Sequence, residues 1–435
     1  MALSTQPYKG ARDFYPEDKR VQDYMFSVMR DAVEQFGYES YDAPILEPLE
    51  LYAAKTGQEI VDEQTYTFTD RGDRQVAIRP EMTPTVSRMV AGRRQELAYP
   101  LRWYSIPNLW RYERPQRGRL REHWQLNVDL FGLPGLEAEH EIILLADQIM
   151  KRFGAKRNTY VIRLNSRELM DAVLGEYIGL DETQSHTMRK LIDRMHKLDD
   201  TAVESQMDAI FSPTQRDGDA YSKLKAFLEI EDLQEIPVEL QKHESIVKLQ
   251  KLMEMLRDSF VSNVRFDPTL MRGFDYYTDV VFEIFDTHPD NNRSMFGGGR
   301  YDGLVGLFGV DPVPTIGFGV GDVTLKNFLE THQLLPELQS PVDVYAVLIG
   351  DVYTPAQRAI TELREMGINV AVDSSGRKAD KQIKAAVKQG IRHAVFIGEK
   401  ELDNQQFTLK DLKTGQEEAH SLQKIVSIVK DYRSR

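Results

Sequence analysis

The chain has 435 residues, 41% apolar and 28% charged, a globular balance too long for one ordinary domain, so two or three are expected. It contains no cysteine, which excludes disulfides, thiolate catalysis and Cys-ligated zinc and suits a reducing compartment. No apolar run approaches a membrane span, the N-terminus "MALSTQPYKGARDFYP" lacks a signal-peptide core, and a net charge of −13 argues against a general nucleic-acid coat, so a soluble cytoplasmic protein is expected.

In chain order, residues 17–36 place Val21, Tyr24, Met25, Val28, Met29, Ala32, Val33 and Phe36 at helical spacing, with Gly37 as a stop. "YESYDAPILEPLELY" reads as extended, its prolines at 44 and 48 suiting an edge or interface strand. "QTYTFTDRGDRQVAIRPEMTP" reads as a hairpin turning at Asp70–Asp73, and a helix from about Pro84 to Gln95 follows. Two strands, 101–113 and 122–131, flank an arginine-rich loop, and a helix runs over about 136–153. From Ser166 to Phe260 the pattern turns helical and charged, as in "SIVKLQKLMEMLRDSF", which predicts a helical insertion. Strands resume at 279–286, followed by "GGGRYDGLVG" and "PTIGFGVGDVTLKNFLE". Beyond the linker-like "THQLLPELQSP", strand and helix alternate, which predicts a small α/β domain. The expected domains are therefore 1–165 and 261–330 as two parts of one body, 166–260 as an insertion, 331–340 as a linker and 341–435 as a separate domain.

The charge is uneven. Residues 341–435 hold 15 Lys/Arg against 13 Asp/Glu, leaving −15 on residues 1–340. A near-neutral tail on an acidic body fits a tail that meets a polyanion, and equally fits ordinary variation between domains.

The stretch "RYERPQRGRLREHWQLNVDLFG" (111–132) packs Arg111, Arg114, Arg117, Arg119 and Arg121 into one turn. The strand after it alternates: Trp124, Leu126, Val128 and Leu130 face one way, and His123, Gln125, Asn127 and Asp129 the other. Arg111 and Glu113 share a face of the preceding strand. Guanidinium forks bind phosphate oxygens bidentately and meet the charge that builds at phosphorus. Glu113 suits an exocyclic amine such as adenine's, whereas Gln125 and Asp129, deeper, suit a small amine-bearing or cationic ligand. A solvated loop over a half-exposed sheet face is the plain alternative.

Other signals are weaker. "AIRPEMTP" puts Arg79, Glu81 and Thr83 on one face at an irregular strand end, and "MRGFDYYTDVVFE" sets Arg272, Asp275, Tyr276 and Tyr277 before a strand. The three glycines of "FGGGRYDGL" fit a tight turn or a close approach of backbone to ligand, and no dinucleotide fingerprint or P-loop is present. The nine histidines show no ligand spacing, so no protein-held metal is expected.

Taken together these stretches resemble a class II aminoacyl-tRNA synthetase, specifically the histidyl-tRNA synthetase family, over nearly the whole chain. "KGARDFYP" resembles the family's N-terminal signature, "GYESYDAPILEPLELY" its first motif and "WRYERPQRGRLREHWQLNVDLFG" its second. "RGFDYYTDVVFE" and "GGGRYDGL" resemble the two histidine-specific motifs, and "PTIGFGVGDVTL" stands at the third class motif. The resemblance implies an α+β catalytic domain, its antiparallel sheet flanked by helices, and a C-terminal α/β domain that reads the anticodon. It implies that ATP activates histidine to an adenylate and that the histidyl group passes to its tRNA, with Mg²⁺ carried by ATP and no covalent enzyme intermediate. A homodimer is implied, with the first motif building its interface around Pro44.

Residue by residue, the resemblance gives Arg111 the α-phosphate and the histidine carboxylate, Glu113 the adenine, and Arg119 or Arg121 the terminal phosphates. Glu81, Thr83 and Gln125 hold the α-amino group; Asp129 and Tyr277 bracket the imidazole; Tyr276 and Tyr301 line its pocket; Arg272 acts at the α-phosphate. Arg111 and Arg272 are the catalytic pair. Two positions depart from the pattern. The third motif's glutamate–arginine pair is Val323 and Thr324 here, so either another cation (Lys326 or the 119–121 arginines) serves, or ATP handling is impaired. Asp129 in place of a family glutamate keeps the charge. The competing reading is a non-catalytic, histidine-binding paralogue that regulates histidine biosynthesis; the altered third motif favours it and the 342–435 tail disfavours it.

Overall fold

The computed structural model describes residues 3–53, 64–271, 276–291 and 293–433. Two compact units divide the chain, Met1–Leu335 and Pro336–Arg435.

The first unit opens with the helix Pro16–Gln35. Proline at its first turn needs no amide partner, Glu17 and Asp18 lie at the positive end, and Met25, Met29, Ala32 and Val33 form its buried stripe. Gly37 ends it at φ +80°, a conformation that favours glycine. Among the described residues twelve strands follow: β1 Glu39–Ser40, β2 Leu46–Pro48, β3 Tyr66–Thr69, β4 Gln75–Ile78, β5 Leu101–Ser105, β6 Asn108–Trp110, β7 Glu122–Phe131, β8 Tyr160–Ser166, β9 Val264–Phe266, β10 Val280–Asp286, β11 Ser294–Arg300 and β12 Thr315–Gly321. Among the described residues, nine form one sheet in the order β1-β5-β7-β12-β11-β10-β8-β9, with β6 also paired to β7. The interior pairings are antiparallel, while β1–β5 and β8–β9 are parallel, so the sheet is mixed at its edges. The hairpin β3–β4 joins β2 in a second, three-stranded antiparallel sheet.

Three details differ from the sequence expectations. The strand expected over 101–113 breaks in two, because Pro107 has no N–H to donate and its carbonyl instead accepts from Gln125 (3.1 Å). The glycine run is the interior of β11, not a turn. Strands β8 and β9, which bracket the helical block, have no counterpart among the expected elements.

Within the helical block, the helices Arg167–Ala172, Glu182–Arg194, Asp200–Ile210 and Pro213–Asp217 are N-capped by Ser166, Asp181, Asp199 and Ser212. Asp181 with Gln184 and Ser212 with Gln215 complete capping boxes. The apolar faces of this block (Leu191, Leu224, Phe227, Leu249, Leu252) share one core cluster with Leu126, Val128, Phe282 and Phe318 of the sheet. The helix Glu137–Arg152 buries Ile142, Ile143, Leu145 and Ile149 in that core.

The second unit has its own core and a five-stranded sheet: β13 Val344–Leu348, β14 Val370–Val372, β15 His393–Ile397, β16 Phe407–Asp411 and β17 Glu417–His420, in the order β14-β13-β15-β16-β17. The first three strands are parallel, as the alternation predicts; β16 and β17 add an antiparallel edge.

Candidate functional site

The site grows from the pleat of β7. Gln125, Asn127 and Asp129 stand on one face, and β12 sets Gly321, Gly319 and Gly317 opposite them in the ladder. β11 in turn sets Gly297 opposite Gly319 and Gly299 opposite Gly317. Five positions on this face therefore carry no side chain, and the polar row of β7 leans over bare backbone. A Cβ on Gly319 would lie 1.9 Å from Gln125 Nε2, and one on Gly317 would lie 2.5 Å from Asp129 Oδ1. Close approach, not turn geometry, is what demands these glycines.

Over this floor opens a cavity of about 310 Å³. It brings together Glu81 and Thr83 from the start of the helix Thr83–Gly92, Arg111, Glu113 and Arg119 from the loop, Gln125 and Asp129 from β7, and Tyr276, Tyr277 and Tyr301. Segments almost 200 residues apart meet here: the Tyr276 hydroxyl donates to Glu81 Oε2 at 3.0 Å, with |i−j| of 195. Arg272 lies outside the described residues.

Arg121 is not in the cavity. Its amide and that of Glu122 both donate to Gly10 O (2.9 and 3.1 Å), which breaks the strand alternation just before β7. The Arg121 side chain instead donates to Glu113 O and the Tyr8 hydroxyl and stacks 3.9 Å from the Tyr112 ring centre. Arg111 is braced by its Nε donating to Pro80 O (2.9 Å), and Arg119 Nη1 lies 3.7 Å from Glu113 Oε2. Among the described residues the lysines and arginines lining the cavity are Arg111 and Arg119. Val323 and Thr324 line it too, at the start of the helix Asp322–Thr331, where the Thr324 hydroxyl donates to Met295 O (2.8 Å). Lys326 does not line it and pairs with Glu330 (3.5 Å).

At the cavity's inner end the Tyr301 hydroxyl donates to Asp129 Oδ1. Asp129 Oδ2 is buried and has no hydrogen-bond partner among the described residues. Burial pushes this carboxyl up to about 7, against the opposing pull of the Tyr301 and Tyr41 hydroxyls. Burial, and then the nearby Asp129 carboxylate, raises the Tyr301 hydroxyl well above its ordinary value, so it stays a donor. Burial, reinforced by the Arg111 and Arg12 cations, lowers His123 to about 3, so its ring is neutral at pH 7. The N-terminal segment straps this wall: Arg12 Nη2 pairs with Asp322 Oδ2 at 2.7 Å while Asp322 Oδ1 accepts from Trp124 N at 3.0 Å.

Sequence reasoning missed Glu283, which lines the cavity from β10 opposite Gly297. Its signal was a lone carboxylate inside the apolar run "VVFEIF". It also missed Arg12 and Asp322, whose pairing spans 310 residues and leaves no local trace. Among the described residues no group of three or more acidic or histidine side chains is arranged to hold a metal ion.

The histidyl-tRNA synthetase family model matches residues 10–323, and a model described as an anticodon binding domain matches 343–432. A histidine–tRNA ligase of Leptospira biflexa is 45% identical over 438 residues, covering 100% of this chain and 99% of that protein. One from Thermoplasma volcanium is 34% identical, with 98% of each chain covered. In fold, a histidyl-tRNA synthetase from Nostoc sp. PCC 7120 superposes with a TM-score of 0.82 at 23% identity over 99% of this chain and 100% of that one. The chain thus has the architecture of a class II aminoacyl-tRNA synthetase: one unit built on a mixed sheet with an antiparallel interior, and a separate α/β unit. With a family model covering 10–323 and relatives this similar over their full length, it belongs to the histidyl-tRNA synthetase family.

Proposed function

We propose that the protein is a histidine–tRNA ligase: it joins L-histidine to ATP, releasing pyrophosphate, and passes the histidyl group to the 3′ end of its tRNA. The observation that carries this reading is that a single cavity contains both Arg111 and Asp129, one end cationic and the other acid and phenolic.

In the first step a histidine carboxylate oxygen attacks the α-phosphorus and the bond to pyrophosphate breaks. Arg111 contacts both groups, joining nucleophile to electrophile and offsetting the negative charge that collects on the phosphoryl oxygens. Arg272 serves the same phosphorus. Glu113 accepts from the adenine amine, and Arg119 meets the terminal phosphates, which Mg²⁺ accompanies. Glu81, Thr83 and Gln125 take the α-ammonium; their acid, hydroxyl and amide oxygens are acceptors. Asp129 Oδ2 accepts from an imidazole N–H, with Tyr276, Tyr277 and Tyr301 walling the ring. In the second step the terminal ribose hydroxyl attacks the acyl carbon and AMP leaves.

The unit matching the anticodon-binding model would read the tRNA, and its presence tells against the regulatory paralogue. We infer a cytoplasmic homodimer, with the segment around Pro44 at the interface; Ile45 and Leu46 there are 46% and 44% exposed, apolar surface that a second copy would cover. Histidine-dependent exchange of labelled pyrophosphate into ATP tests the reading. Robust exchange with histidine alone among the amino acids is expected, and none at saturating histidine would refute it.

A further inference from the structure

The arginine loop is docked onto a second turn that the reaction does not use directly. Arg117 Nη1 donates to Asp290 O (3.3 Å), and Arg293 Nη1 donates back to Arg117 O (3.2 Å). These reciprocal bonds grip the residue just before Gly118 and Arg119, both of which line the cavity. Gly118, at φ +81°, turns the chain there against the helix Asp322–Thr331, where a Cβ would meet Thr324 Cγ2 at 3.6 Å. A short side chain at 324 therefore lets the loop sit down on the helix.

The turn is itself anchored. Asp286, 1% exposed, accepts from His288 N (2.8 Å) and from Asn291 Nδ2 (2.7 Å), and its Oδ1 lies 2.9 Å from His332 Nε2. His332 follows the helix Asp322–Thr331 and packs against Phe328, with ring centres 4.4 Å apart. One helix thus holds the cavity wall at its start, through Thr324 to Met295 O, and the turn at its end, through His332 to Asp286. Two carboxylate oxygens serving three donors leave the turn little freedom to shift without stranding a buried charge.

We propose that Arg293 and His332 are positioning residues for the polyphosphate end of ATP, holding the 288–291 turn, and through it Arg117, so that Arg119 stands in the cavity. This rests on the ligase reading above. Neither residue touches substrate; each acts through the loop. Removing the Arg293 bond releases one side of the docking and leaves the core intact, because the side chain is exposed.

The test is Arg293→Ala and His332→Asn in the full-length protein, each read by pyrophosphate exchange and by amide hydrogen exchange of residues 116–119. Arg293→Ala should raise the KM for ATP about fivefold, the loss of one charge-assisted hydrogen bond, with the histidine KM within about twofold. Amides 116–119 should exchange faster, and Arg293→Lys should restore part of both effects. His332→Asn, which keeps a donor toward Asp286, should fall between wild type and Arg293→Ala. Unchanged amide exchange would overturn the proposal, as would faster exchange with an unaltered ATP KM. Equal rises in both KM values would mark a general loss of structure and also overturn it. Should wild type show no pyrophosphate exchange, the ligase reading fails, while the amide measurement still decides whether the turn holds the loop.

Discussion

Replacing Asp129 by Asn isolates the charge at the inner end of the cavity. The side chain is buried, its Oδ1 receives the Tyr301 hydroxyl, and burial lifts its carboxyl to about 7. Asparagine keeps the shape and an acceptor for Tyr301, but it loses the charge and turns the second acceptor oxygen into an NH2 donor. A hydrogen bond from a substrate ring N–H to a charged acceptor contributes about 1.5–3 kcal/mol, so at pH 8 the histidine KM should rise roughly ten- to a hundredfold. The ATP KM should change little.

The pH dependence follows from the raised value. Between about pH 4 and pH 7 the unfolded chain has released a proton that the folded chain keeps, so Asp129 lowers stability as pH rises through that window. Asp129→Asn should flatten that part of the stability profile. Substrate affinity runs the other way, since the ionised fraction climbs from about a tenth at pH 6 to about nine tenths at pH 8. Exchange rates measured against histidine concentration across that range, for both proteins, give a ratio of KM values in which the substrate's own titration cancels. The ratio should grow roughly tenfold from pH 6 to pH 8. A flat ratio would remove Asp129 from imidazole recognition.

Gly319→Ala places a Cβ 1.9 Å from Gln125 Nε2. Overpacking of this kind costs about 1–3 kcal/mol, and circular dichroism should show the fold retained while the histidine KM rises about tenfold. Glu139→Gln removes the charged partner at 2.7 Å from Arg300, 4% exposed, and leaves only Asp302 at 3.3 Å, 40% exposed on its side chain. A loss of about 3 kcal/mol should appear as a lower urea midpoint, and no shift would show that the pair contributes nothing. Deleting Pro336–Arg435 removes a unit with its own core. Pyrophosphate exchange should survive the deletion while tRNA charging falls at least tenfold, and equal loss of both would separate the structural division from the functional one.

Much of the cavity's polar face was legible because it is written in local periodicity. The alternation from His123 to Asp129 predicts a strand with one polar face, and β7 has that face over the cavity. The spacing of Met25, Met29, Ala32 and Val33 predicts the first helix and its buried stripe. The glycine run was harder to read. Glycine carries no side-chain pattern, so a strand interior and a turn look alike until β10 and β12 are seen on either side of it. Arg121 shares its parity with His123, and only the doubled bond to Gly10 O turns it away.

From its residues alone this chain determined that an arginine-rich turn precedes a strand with one polar face, and that a helical block and an α/β tail follow. Periodicity and charge are short-range properties, carried by neighbours in the chain. The tertiary structure alone decided that Glu81 meets Tyr276, that Gly317 and Gly319 leave room beneath Gln125 and Asp129, and that Arg119, not Arg121, reaches the cavity. Those outcomes depend on strand order and register, which are set by packing between segments up to hundreds of residues apart.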